Sequence, residues 1–222
     1  SHASIMWNLT VDLPTFDKTT AQLRKTRQIS SSQKRDRLPT FDELERLTNY
    51  FVKKWHHSSY SYPMHLIMWF AIFSCRREAE ITRMQLNDYD EENLLWKIRD
   101  LKNPNGSKGN HKEFSVHDDC QQLIQLLLGE NVRNRMLKRG YDEKLFVPLS
   151  PKTIGSEFRN ACKLLGIDDL HFHDLRHEGC TRLAEKGMTI PQIQQVSLHD
   201  SWSSLERYVS VKVRKNIICA DQ

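Results

Sequence analysis

"HDLRHEGCTRLAEKG" (residues 173–187) is followed shortly by "SLHDSWSSLERY" (residues 197–208), and together they hold His173, Arg176, His177, His199 and Tyr208. His173 and Arg176 stand three apart at the start of a helix that ends at Gly187, so both side chains project the same way. A helix start presents free N–H groups, and arginine adds a planar, permanently charged fork, which together suit a phosphate. A surface ion pair for Arg176 and a helix cap for His173 are the plainer reading of the pair taken alone. His171, His173, His177 and Cys180 also sit at spacings that a zinc site uses. Against zinc, Asp174 stands where an HExxH helix carries its glutamate, and Arg176 would face the metal.

Outward from there, the elements alternate plainly. "PTFDELERLTNYFVKKW" (39–55) opens on a Thr40/Glu43 capping box and places Phe41, Leu44, Leu47, Phe51 and Trp55 on one face. "MHLIMWFAIF" (64–73) is too short to span a bilayer and predicts a buried helix. "REAEITRM" (77–84) starts a short third helix. Strands are expected at 94–101 and 112–118, with turn signals at Pro104, Asn105 and Gly106 between them. Helices follow at 119–129, over "NVRNRMLKRG", and at 151–166 with Ser150 as N-cap. Thr189 and Gln192 cap the helix after Gly187, and Ser203 with Glu206 predicts a capped last helix carrying Tyr208. The fold class expected is mixed α/β, predominantly helical, with a small antiparallel sheet.

Charge bounds the partner. The net charge is +5, from 33 Lys and Arg against 28 Asp and Glu. Residues 1–40 hold seven bases and three acids, residues 41–149 sixteen of each, and residues 150–222 ten and nine, so the surplus lies in the first segment. "RKTRQISSSQKRDR" (24–37) reads either as a solvated linker or as an arm that tracks a phosphate backbone. In the second reading Arg24, Lys25, Arg27, Lys34, Arg35 and Arg37 are the DNA-binding residues. Five scattered cysteines without a CxxC pair fit a reducing compartment.

Three further features complete the pattern. Arg77 is followed three residues later by Glu80, Lys102 or Lys108 lies in the hairpin, and His199 precedes Tyr208 by nine residues. Arg, Lys, His-x-x-Arg, His and Tyr in this order resemble the tyrosine recombinases, the lambda-integrase and Cre family, over about residues 37–210. The resemblance implies Arg77, Lys102, His173, Arg176, His199 and Tyr208 as catalytic residues, with Glu80 the acidic neighbour of Arg77 and Lys108 the competing lysine. His177 is left to helix packing or a supporting contact. Two departures are visible: Leu198 stands where the family has glycine, and "SC" at 74–75 replaces its "TG", with Arg76 adjacent.

The chemistry so implied is metal-free. Tyr208 attacks a phosphodiester to give a 3′-phosphotyrosine and a free 5′-hydroxyl. Arg77 and Arg176 hold the non-bridging oxygens, His199 donates to the same group, His173 accepts or relays the tyrosine proton, and lysine protonates the leaving oxygen. The covalent bond retains the ester energy, so no cofactor is expected. The resemblance further implies a double-stranded DNA recombination site as partner, a monomer when free, a homo-tetramer in the synaptic complex, accessory DNA-bending proteins and no membrane. A cytoplasmic, nucleoid-associated, bacterial or phage-encoded protein follows. Residues 1–36 read as a basic linker left from a missing core-binding domain, and 37–222 as the catalytic domain with its C-terminal tail. A type IB topoisomerase and a DNA-binding protein with a dead site are the alternative functions.

Overall fold

The computed structural model describes residues 36–101 and 107–208. Among these are eight α-helices and one three-stranded antiparallel sheet, and all described residues from Arg37 onward belong to one compact unit.

Helix α1 (Phe41–Trp55) begins as its sequence dictates. The Thr40 hydroxyl accepts from the Glu43 amide at 3.2 Å, and the Glu43 carboxylate accepts from the Thr40 amide at 2.8 Å. Such a cap contributes about 1 kcal/mol. Leu44, Leu47 and Phe51 are buried, whereas Phe41, expected on the same face, is 53% exposed at the first turn. Arg37, just before the helix, pairs with Glu43 and donates to the Asp168 carbonyl at 3.3 Å.

Helix α2 (Met64–Ser74) is the centre of the core. It is apolar on nearly all sides because α1 and the helices over residues 118–128, 151–164 and 174–185 pack around it. It stops at Cys75, whose φ of 54° is left-handed. A single turn, α3 (Glu78–Ile81), follows; the longer helix expected over 77–84 ends early because Gln85 is extended and bridges to Leu145.

The sheet runs β1 (Tyr89–Asp90), β2 (Leu95–Ile98) and β3 (Lys112–Ser115), with Tyr89 opposite Trp96 and Trp96 opposite Phe114. β1 is too short to leave a periodic signal in sequence. β2 is shorter than expected because Asp100 takes a φ of 50° and ends the extended run. Trp96 carries the sheet into the core, its ring centroid 4.7 Å from that of Phe146. The turn signals at Pro104, Asn105 and Gly106, and Lys102 with them, lie outside the described residues.

Helices α4 (Asp118–Leu128), α5 (Glu130–Leu137) and α6 (Pro151–Leu164) follow close to expectation. Next come α7 (Asp174–Glu185) and α8 (Ile190–Ser197), the latter capped by Thr189 and Gln192. Helix α7 approaches α2 closely at Gly179. A Cβ there would lie 2.0 Å from the Ile72 carbonyl oxygen and 2.8 Å from Cys75 Sγ, so only glycine permits the approach. The capped helix expected from Ser203 is not formed. Two 3₁₀ turns, Trp202–Ser204 and Glu206–Tyr208, take its place, with Leu205 between them. Burial of Leu205 and Tyr208 decides this. Both join Cys75, Cys180, Leu183, Ile193 and Val196 in a second apolar cluster, and the tighter turns aim both side chains inward. No helix among the described residues is long and apolar enough to cross a membrane.

Candidate active site

The site grows from the junction where α2 ends. Arg77, in extended conformation, caps α3, and Glu80 in that turn reaches back to it, with Arg77 Nη1 donating to Glu80 Oε1 at 2.6 Å. Arg176, in the first turn of α7, is 2% exposed and donates from Nη1 to the Cys75 carbonyl at 2.5 Å. Its Nη1 is 4.0 Å from Glu80 Oε2. Arg76, the neighbour of Arg77, is 1% exposed and forms the third cation, 3.4 Å from the same oxygen. It donates to the Ser74 carbonyl at 3.0 Å and the Val196 carbonyl at 2.7 Å, and lies over the Phe114 ring. Three guanidiniums therefore share one buried carboxylate.

The electrostatics follow. Burial pushes the Glu80 carboxyl up, but Arg76, Arg176 and Arg77 outweigh it and hold the group below its ordinary value. Burial lowers the pKa of Arg176, and Arg77 beside it lowers it further. Two donor nitrogens, Arg76 Nη1 and Arg176 Nε, are buried without a hydrogen-bond partner. Unmet donors of this kind are uncommon in a folded interior, and an anion would satisfy them.

Around this cationic floor stand the histidines and the tyrosine. His199 follows α8, its Nδ1 2.8 Å from Ser197 Oγ, which leaves Nε2 for another partner. Its carbonyl accepts from Gln194 at 2.8 Å, and the next residue, Asp200, pairs with Lys112 of β3 at 2.6 Å. Burial and then Arg176 and Arg77 depress the His199 pKa to about 2. His173, at the N-cap of α7, is depressed to about 4 by loss of solvent around its ring, then by His177, Arg77 and Arg176. The residue as a whole is exposed, so solvent screens part of that depression. Both rings are neutral at neutral pH.

Tyr208 is 4% exposed, and its hydroxyl lies 2.7 Å from Nδ1 of His177. The His177 ring also meets that of His173, with centroids 5.3 Å apart and planes at 88°. Sequence spacing alone gives His177 either helix packing or a supporting contact. Its one signal was the four-residue offset from His173, which puts the two on one helix face.

Arg77, Arg176, His173, His199 and Tyr208 are thus gathered around one junction, with Glu80 beneath the arginines. Lys108 is exposed in the hairpin turn. Lys102, Arg24, Lys25, Arg27, Lys34 and Arg35 lie outside the described residues, and Arg37 is engaged with Glu43. Among the described residues no three His, Cys, Asp or Glu side chains gather as a metal site would require; Cys180 lies in the apolar cluster with Cys75. Both departures from the family pattern fall on strained backbone, with φ 54° at Cys75 and 55° at Leu198, the left-handed region that glycine occupies freely.

Comparison with known proteins bears on the fold and the family. A "Shufflon-specific DNA recombinase" of Escherichia coli is 26% identical over 186 residues, 82% of this chain and 42% of that protein. The "Integrase" of Salmonella phage P22 is 24% identical over 153 residues, 66% of this chain and 38% of that protein. The chain therefore spans about two fifths of the length of these relatives. Among solved structures, XerA recombinase superposes with a TM-score of 0.57 at 18% identity, covering 94% of this chain and 75% of that one. A lambda integrase dimer bound to a COC′ core site gives 0.57 at 19% identity, covering 87% and 55%. At these identities the likeness is one of fold. The profile of the phage integrase family matches residues 38–215, a span that holds every residue of the arginine, histidine and tyrosine cluster; the chain belongs to that family.

Proposed function

We propose that this chain breaks and rejoins DNA strands through a covalent 3′-phosphotyrosine on Tyr208, as the catalytic part of a site-specific recombinase. One observation carries the reading: three buried or half-buried guanidiniums converge on a single carboxylate and leave two buried donors unmet. That surplus of positive charge is what a phosphodiester gathering charge in its transition state requires. Arg77 and Arg176 hold its non-bridging oxygens, His199 offers Nε2, and His173 relays the tyrosine proton. A lysine of the hairpin, Lys102, protonates the departing 5′ oxygen. The names of the relatives and the DNA complexes among the structural neighbours support the substrate class. In this reading 37–222 is the catalytic domain and 1–36 a basic arm whose Arg24, Lys25, Arg27, Lys34 and Arg35 follow the phosphate backbone. The enzyme works as a tetramer on two duplexes, with DNA-bending helpers, in the nucleoid.

The test is a pool of nicked duplexes of random sequence, in which cleavage near the nick releases a short strand and traps the adduct. Wild-type protein should yield a detergent-resistant protein–DNA species with the nucleotide on Tyr208, also in EDTA. Tyr208→Phe should keep the fold and yield none. An undiminished adduct in that variant overturns the assignment.

A further inference from the structure

We propose that His177 is a catalytic residue of this site, the direct acceptor of the Tyr208 proton, with the His173 ring set edge-on beside it. The inference rests on Tyr208 being the nucleophile. Its starting point is the 2.7 Å separation of Tyr208 Oη and His177 Nδ1, inside hydrogen-bond range for proton transfer.

A phenol ionises near pH 10, so at neutral pH attack needs a base on the hydroxyl. His177 is placed for that task by three features. It stands on α7 one turn beyond His173, so the helix fixes the two rings relative to each other. Its ring is partly buried, and the Tyr208 hydroxyl reaches it from the apolar cluster beneath α8, which shuts bulk water away from the phenol. Among the described residues, His173, His199 and Tyr208 are titratable groups near it; burial first, and then the fixed cations Arg77 and Arg176, keep both other histidines neutral.

The step balances. The O–H bond of Tyr208 breaks and its proton passes to His177 Nδ1, giving an imidazolium. The phenolate oxygen forms a bond to phosphorus, and the bond from phosphorus to the 5′ oxygen breaks. That oxygen leaves with the electron pair and takes a proton from the lysine. On rejoining, the 5′-hydroxyl attacks, the phenolate departs, and His177 returns the proton.

The test is single-turnover adduct formation on a captured nicked duplex across pH 6.5–9.5, for wild type, His177→Phe and His177→Gln. Both variants should cleave roughly 10²- to 10⁴-fold slower near pH 7. The deficit should shrink as pH rises, because a phenol, which ionises near pH 10 when free, then loses its proton without a base. His177→Gln keeps a hydrogen-bonding group without basicity, so it serves even if the phenylalanine variant misfolds. A wild-type rate in His177→Gln, or a deficit constant across pH, overturns the proposal. Tyr208→Phe runs alongside. If that control still forms the adduct, the nucleophile assignment fails; if it does not while the His177 variants match wild type, only the role of His177 fails.

Discussion

Arg77 donates to Glu80 across 2.6 Å in an unequal pair: the carboxylate is 3% exposed and the guanidinium 34%. The acid faces inward, where it also meets Arg76 and Arg176, and Arg77 keeps an outer face open to a ligand. Glu80 thus balances charge in the absence of DNA without occupying the place of the phosphate.

Glu80→Gln should therefore destabilise the protein, by roughly 3–5 kcal/mol, because it strands buried cations without a counter-charge. Urea unfolding measures this. Sulfate or phosphate should raise the Tm of the variant more than that of wild type, since an anion replaces the missing charge. Equal shifts in both proteins would mean that the three arginines do not act as one cluster.

Acid should destabilise the fold in a defined window. The folded pKa of His199, about 2, lies below the ordinary 6.5, so between those values the unfolded chain binds more protons. Stability is complete above about 6.5 and falls as pH drops toward 2. Glu80, also depressed, acts in the same direction at lower pH. His199→Gln should flatten the Tm profile between pH 6.5 and 4. Parallel profiles for variant and wild type would refute this source of acid sensitivity.

Gly179→Ala should lower stability by about 1–3 kcal/mol or more, since the new methyl meets the Ile72 carbonyl oxygen at 2.0 Å and backbone must move. Cleavage should drop as well. The shift passes to Cys75, whose carbonyl orients Arg176. A variant with wild-type Tm would show that α2 and α7 do not need this approach.

Leu198 holds a left-handed backbone beside His199, a conformation that costs a non-glycine residue roughly 1–2 kcal/mol. Leu198→Gly should accordingly be more stable than Leu198→Val, although valine buries more apolar surface. Thermal melts rank the two. The reverse order would show that packing of the side chain outweighs the strain.

The two hairpin lysines are separated by leaving-group chemistry. A 5′-bridging sulfur departs as a thiolate and needs no proton. Lys102→Ala should fail on normal DNA and recover near wild-type cleavage on the sulfur-substituted strand, whereas Lys108→Ala, altering an exposed turn residue, should behave as wild type on both. Rescue of Lys108→Ala instead would transfer the general acid to Lys108.

Features that depend on neighbours three or four residues away are legible in the amino-acid order. The Thr40–Glu43 and Thr189–Gln192 caps, the apolar face of α1 and the Arg77–Glu80 offset are interactions within one turn of helix, so residue identity and spacing suffice to read them. The order of Arg77, His173, Arg176, His199 and Tyr208 pointed to the family because the chemistry restricts which side chains serve. Other features arise only from long-range packing. The turn at Tyr208 is 3₁₀ rather than a capped helix because burial of Leu205 and Tyr208 overrides the local signal of Ser203 and Glu206. Arg76 is a buried clamp on Val196, 120 residues away, while its neighbour Arg77 faces outward, a difference no local pattern encodes. Tyr208 rests on a histidine 31 residues earlier in the chain. These contacts arise where α2, α7 and α8 converge, and their geometry is set by how those helices pack.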